Sequence, residues 1–195
     1  MNPMNPIPQI DAYFARLAEA CSKIDRTDLS KMIHVIEQAY ERESTIYICG
    51  NGGSAATASH ICCDFNKGIS MYQEKKFNFV SLNDNMATMM AIANDISYDD
   101  VFLIQSEGRV REGDVLIAIS GSGNSKNVIK AVEYFKGLGN TVIGLSGYSG
   151  GKLKDLSDIS VHVPVNDMQK AEDAHMSILH LCAQIIAREL GHPLC

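Results

Sequence analysis

The sequence predicts an α/β fold: a doubly wound, mainly parallel five-stranded sheet preceded by two N-terminal helices. Three observations carry this reading. From Thr45 onward, short β-branched runs alternate with segments of helical apolar spacing. Two of those runs end in glycine-rich turns, Gly50-Asn51-Gly52-Gly53-Ser54 and Ser120-Gly121-Ser122-Gly123-Asn124-Ser125, and each turn leads into a helix-like stretch. The 195 residues, 46% hydrophobic and 21% charged, suffice for one well-buried domain.

The elements follow in order. After the proline-broken head Met1-Asn2-Pro3-Met4-Asn5-Pro6, a first apolar stripe runs through Ile10, Phe14, Leu17, Ala18, Cys21 and Ile24. A second runs through Leu29, Met32, Ile33, Val35, Ile36 and Ala39, with cap residues between Asp25 and Asp28. Both helices precede the first strand, so they are not crossover helices, and their stripes must be buried on the domain or on another copy. The chain reads as one domain over 1–195, with 7–43 a helical pair used in oligomerisation.

Ile46–Cys49 reads as a buried strand, followed by the first turn and a helix to about Asn66. Phe77–Leu82 is a second strand. Asn83–Asn94 and Ser97–Ser106 read as helices with Asn94-Asp95 between them. Val115–Ile119 leads through the second turn into a helix over Lys126–Leu138. Thr141–Leu145 and Ile159–Val163 complete the strands, and Gln169–Leu190 is a long final helix. Alternation of this kind with short glycine turns implies a parallel sheet covered on both faces, with ligands at the carboxyl ends of the strands.

Composition excludes several classes. A net charge of −6 argues against a nucleic-acid partner. No apolar run reaches the roughly 20 residues of a membrane helix, and the head lacks the pattern of a signal peptide. Cys21, Cys49, Cys62, Cys63, Cys182 and Cys195 form no disulfide framework and no CxxC zinc site, so they read as small, mostly buried thiols of a reducing cytoplasm.

A strand entering a helix through glycines and hydroxyls turns backbone N–H groups and a positive dipole end toward an anion. Ser54 and Ser125 could serve merely as helix N-caps. Yet a cap needs one hydroxyl, whereas Ser120, Ser122 and Ser125 offer three, unshielded by the glycines between them. The P-loop lysine and the GxGxxG spacing are both absent, which favours a sugar phosphate over a nucleotide.

Beyond the first turn, His60 and Asp64 share a helix face one turn apart, flanked by Ile61, Cys62, Cys63 and Phe65, so this helix reads as largely buried. The final helix adds Glu172, Asp173, His175 and His180, and spacing alone leaves open whether Glu172 or Asp173 faces the site. Two imidazoles and two carboxylates make a ligand set acceptable to zinc. The same groups are also able to move protons near neutrality.

These segments together resemble the sugar isomerase (SIS) domain family, and within it the bacterial phosphoheptose isomerase branch. The matching stretches are Ile48–Ala56 with His60, Ala93-Asn94-Asp95, Gly113–Leu116, Ile119–Ser125, Val128–Ala131, Leu145-Ser146-Gly147, Gly150–Leu153, and the closing His175 and His180. The resemblance spans nearly the whole chain.

It implies a cytoplasmic aldose–ketose isomerase that converts sedoheptulose 7-phosphate to D-glycero-D-manno-heptose 7-phosphate for a bacterial surface glycan such as lipopolysaccharide. It further implies a flavodoxin-like sheet and a homotetramer with sites at subunit interfaces. One zinc ion per subunit would be held by His60, Asp64, Glu172 and His180, with Asp64 and His180 sharing the catalytic acid and base roles in an order the sequence leaves open. Substrate would meet Asn51, Gly52, Gly53, Ser54, Asn94, Asp95, Ser120, Gly121, Ser122, Ser125 and Glu172. The family commonly has Glu where Asp64 stands and often Gln where Glu172 stands. The competing expectations are a SIS-fold binding protein of the replication-initiator-associating type, or an isomerase of another sugar phosphate.

Overall fold

The computed structural model describes residues 5–192. The head Met1–Met4 and Cys195 lie outside them. Helix α1 (Ile7–Ser22) starts beside Pro6 and Pro8, whose fixed φ suits a helix entry. Helix α2 (Arg26–Glu41) is capped by Asp25, whose carboxylate accepts from the Thr27 N–H at 2.7 Å. Strands β1 (Thr45–Gly50), β2 (Asn78–Ser81), β3 (Val115–Ser120), β4 (Thr141–Ser146) and β5 (Ile159–His162) follow. Between and after them come α3 (Gly53–Cys63), α4 (Met86–Asp95), α5 (Val101–Ser106), α6 (Lys126–Gly137), α7 (Gly151–Leu156) and α8 (Met168–Glu189).

The sheet order is β2-β1-β3-β4-β5 and every pairing is parallel. Alternation along the strands divides the core. Ile46, Ile48, Ile117, Ile119, Ile143 and Leu145 face α2, α3 and α8. Tyr47, Cys49, Leu116, Ala118 and Val142 face α4, α5 and α6. The chain leaves β1 toward β2 and leaves β3 toward β4, so the sheet reverses its winding between β1 and β3. Both glycine turns sit at that switch point, where a parallel sheet opens a crevice. Gly50 is in register with Ile119, and a Cβ built on Gly50 would lie 3.0 Å from the Ile119 carbonyl oxygen.

Two readings need correction. The α-helix after the first turn ends at Cys63 and continues as a π-helical turn over Asp64–Ile69. Asn94 and Asp95 close α4 instead of lying between two helices. Helix α7 has too short an apolar period to be seen in sequence. The leading helices also part company: α2 buries Leu29, Met32, Ile33, Ile36 and Ala39 on the domain, whereas α1 leaves Ile10, Phe14 and Ala18 exposed. The five described cysteines are free, with Cys63 exposed and Cys21 half-buried. Burial pushes the Cys49, Cys62 and Cys182 thiols up to about 12. Among the described residues no helix is long and apolar enough to cross a membrane.

Candidate active site

Helices α3 and α8 run side by side in the same direction, with residue 53 near 172 and residue 60 near 180. This packing brings three predicted ligands together. His60 Nε2 lies 2.9 Å from His180 Nε2 and 3.2 Å from Asp64 Oδ2, and His180 Nε2 lies 3.4 Å from the same oxygen. Tetrahedral zinc with bonds of 2.0–2.1 Å holds its nitrogen and oxygen donors about 3.3 Å apart, so the three donors fit that ion. Asp64 begins the π-helical turn, a distortion that often marks functional positions.

The expectation of a largely buried helix is not met at this face. Ile61, Cys62 and Phe65 turn into the core, while the His60 and His180 side chains remain 49% and 43% exposed. An i,i+4 pair occupies one stripe of a helix, and here that stripe looks outward.

Glu172 is outside the three-residue cluster. It precedes His180 by about 12 Å of helix rise, and its carboxylate lies against the first turn: a Cβ built on Gly53 would be 2.5 Å from Oε2 and 2.7 Å from Oε1. Asp173 turns away, accepting a hydrogen bond from the Tyr13 hydroxyl at 2.5 Å. Of the two carboxylates left open by spacing, Glu172 therefore faces the turns.

The serines are not ordinary caps. Gly52, at φ +56°, occupies the N-cap of α3, so Ser54 lies inside the helix, buried. Ser125 occupies the N-cap of α6, but its hydroxyl makes no cap bond and instead lies 3.1 Å from the Ser120 hydroxyl. Ser122 is exposed, and its hydroxyl accepts from the Asn124 N–H at 3.2 Å. Three hydroxyls thus stand at the start of α6, at its positive dipole end. Gly121, between them, is covered by Met168: its Cβ would meet the sulfur at 2.5 Å. Along α8, Met168 and His180 are about 18 Å apart. The serine cradle and the His180 imidazole therefore do not converge within one chain.

Asn51 joins the two turns. Its amide exchanges a pair of hydrogen bonds with Asn127, each 2.9 Å, and accepts a third from the Tyr98 hydroxyl at 2.8 Å. Asn83 clasps Gly50, donating to its carbonyl at 2.8 Å and accepting from its N–H at 3.2 Å. Sequence reasoning missed Asn83, Tyr98 and Asn127. The signal for two of them was an asparagine just beyond a predicted strand or just inside a predicted helix. Asn94 and Asp95 are exposed and bonded to each other at 2.7 Å.

A SIS domain model matches residues 12–147. A phosphoheptose isomerase of Helicobacter pylori is 39% identical over 164 residues, 84% of this chain and 85% of that protein. One from Clostridium acetobutylicum is 36% identical over 186 residues, covering 93% and 94%. The solved phosphoheptose isomerase of Neisseria gonorrhoeae superposes with a TM-score of 0.84 at 31% identity, covering 93% of this chain and 98% of that one. That of Francisella tularensis gives 0.87 at 26%, covering 95% and 100%. The chain therefore belongs to the SIS domain family and, within it, to the phosphoheptose isomerases, which are aldose–ketose isomerases.

Proposed function

We propose that this isomerase interconverts sedoheptulose 7-phosphate and D-glycero-D-manno-heptose 7-phosphate, with Asp64 and His180 at the reacting carbons and Ser120, Ser122 and Ser125 at the phosphate. The carrying observation is the approach of two imidazoles, from α3 and α8, and the carboxylate of the π-helical turn to within 3.4 Å of one another. A purely binding role gives no reason for that approach.

Moving a carbonyl to the adjacent carbon starts when a base takes a proton from the hydroxymethyl carbon of the ketose. An acid delivers a proton to the carbonyl oxygen, which gives an enediol. Return of a proton to the former carbonyl carbon, with loss of the proton on the terminal oxygen, completes the aldose. Asp64 and His180 share these transfers, and zinc ligation and proton transfer compete for His180 Nε2, whose single lone pair serves one of them at a time. Both Nε2 atoms and Asp64 Oδ2 turn toward one another, so Asp64 Oδ1 is the oxygen left to take the carbon-bound proton. Zinc held by His60, Asp64 and His180 would supply Lewis-acid polarisation of the substrate oxygens. Asn51, Gly52, Gly53, Ser54, Asn94, Asp95, Gly121 and Glu172 would orient the polyol between its ends.

The length of α8 separating the cradle from His180 calls for a second copy, so that the cradle of one chain serves the imidazole of another. The exposed Ile7, Ile10 and Phe14 of α1 offer apolar surface for a homotetramer built through 7–43. The free cysteines agree with a cytoplasmic enzyme supplying heptose for a surface glycan. Incubating the protein with sedoheptulose 7-phosphate in heavy water tests the reading. Deuterium entering the carbon next to the carbonyl, alongside aldose formation, is expected. A substrate recovered without label and without aldose would overturn it.

A further inference from the structure

One stripe of α8 packs against the second glycine turn. Met168, Ala171 and His175, spaced three and four residues apart, share a helix face. The Met168 sulfur covers Gly121, where a Cβ would lie 2.5 Å from it. Ala171 lies against Gly147, whose Cβ would come within 2.8 Å of the Ala171 methyl and 2.9 Å of the Gly121 carbonyl oxygen. The Gly147 N–H donates to that same carbonyl at 2.9 Å, so the exit of β4 is tied to the serine turn. His175 completes the stripe at 1% exposure, and the Ser146 carbonyl lies close enough to favour a proton on its ring. Neither ring nitrogen has a hydrogen-bond partner among the described residues. A buried imidazole without partners costs stability where an aliphatic side chain would pack freely, so its donor calls for a use. The Ser146 carbonyl offers one: it accepts the Val163 N–H at 2.8 Å and keeps a second lone pair.

We propose that His175 is a positioning residue for the phosphate: its ring N–H holds the Ser146 carbonyl and, through Gly147 and Gly121, fixes the serine turn. The inference rests on the reading above that Ser120, Ser122 and Ser125 receive the phosphate. His175 itself is buried and touches no substrate. A neutral imidazole carries one N–H, and here that donor is still unengaged when the turn closes on an anion. Hydrogen bonds at such sites are often long before the ligand arrives and tighten in the complex. A turn held in advance loses less freedom on binding. The phosphate is gripped equally in the ground and transition states, so the gain falls on KM and not on kcat.

Three variants of the full chain separate the donor from its bulk. His175→Leu keeps the approximate volume and removes the N–H, while His175→Asn and His175→Gln place an amide nitrogen near the Nδ1 and Nε2 positions. In His175→Leu, KM for sedoheptulose 7-phosphate should rise at least about fivefold with kcat within about twofold. One of the two amide variants should return KM to within about twofold of the unaltered protein. An unchanged KM in His175→Leu, or a rise that neither amide relieves, would overturn the proposal. Amide hydrogen exchange reads the turn without any substrate. The Gly123 and Gly147 amides, bonded to the Ser120 and Gly121 carbonyls at 2.9 Å each, should exchange at least about fivefold faster in His175→Leu, while those of α3 keep their rates. Equal rates at both glycines, or a rise spread evenly over the sheet, would overturn it too. If the unaltered protein neither bound nor turned over the sugar phosphate, the phosphate reading would fall, and exchange alone would decide whether His175 holds the turn.

Discussion

His60 and His180, 120 residues apart in sequence, meet Nε2 to Nε2 at 2.9 Å where α3 and α8 lie alongside each other. Two ring nitrogens at that distance need a proton or a cation between them, and Asp64 Oδ2 adds the negative charge that favours either. This contact makes the cluster more than a surface ion pair, whose worth would be about 0–1 kcal/mol.

Replacing His180 with Gln should lower turnover at least about 100-fold, the ordinary scale of a lost acid–base group. The far-ultraviolet circular dichroism should be unchanged, because His180 is 43% exposed and packs little core. Steady-state kinetics with a coupled aldose assay checks both halves. Near-native rates would remove His180 from the chemistry.

Zinc should raise the unfolding temperature of metal-stripped protein, and His60→Ala should abolish that rise. At a hundredfold excess over its dissociation constant, a ligand confined to the native state stabilises by about 2.7 kcal/mol. Thermal melts with and without zinc, on both proteins, decide the point. An equal rise in the variant would place the ion elsewhere.

Ser122→Ala should raise KM for the phosphorylated substrate roughly fivefold to tenfold and leave kcat within about twofold, since one hydrogen bond to the phosphate is worth about 1–1.5 kcal/mol. The exposed hydroxyl touches only its own turn, so stability should hold. A fall in kcat with unchanged KM would contradict a phosphate-holding role.

Burial pushes the His175 imidazole down to about 4 from 6.5, and neither ring nitrogen has a hydrogen-bond partner; the nearby Ser146 carbonyl opposes this only partly. The unfolded chain therefore binds a proton there between pH 6.5 and 4 that the folded chain refuses. Folding stability should fall as pH drops through that window, by about 3 kcal/mol from this residue. Urea midpoints at pH 7 and pH 5 capture about 2 kcal/mol of this loss, and His175→Leu should flatten it. An identical slope in the variant would assign the loss to other groups.

Gly123 sits at φ +67°, and a Cβ there would lie 1.8 Å from the Gly150 carbonyl oxygen. Gly123→Ala should destabilise by about 2–4 kcal/mol, combining backbone strain with a clash that no flexible side chain relieves. Chemical denaturation measures this. A cost below about 0.5 kcal/mol would mean that the second turn is free to rearrange.

The apolar periods of the strands and of α2, α6 and α8 were legible because burial repeats at fixed intervals along the chain. The glycine turns were legible because few residues tolerate their backbone. Shorter pieces such as α7 were not, since six residues carry too little period. The π-helical turn at Asp64 was not either, because it alters hydrogen-bond spacing without altering composition. Asn127 looked like any polar residue of a first helical turn, and only its approach to Asn51 reveals it as the link between the two turns.

Sequence by itself determined the parallel sheet, the two turns at strand ends and the identities of the ionisable residues, because each is written in local spacing. Tertiary structure alone decided which of those residues meet. It brought His60, Asp64 and His180 together, turned Glu172 toward Gly53 and Asp173 toward Tyr13, and left the serine turn far along α8 from the imidazole. The physical reason is that contact across α3 and α8 depends on how two helices lie against one sheet. That arrangement is set by packing summed over the whole core, and no single stretch of sequence records it.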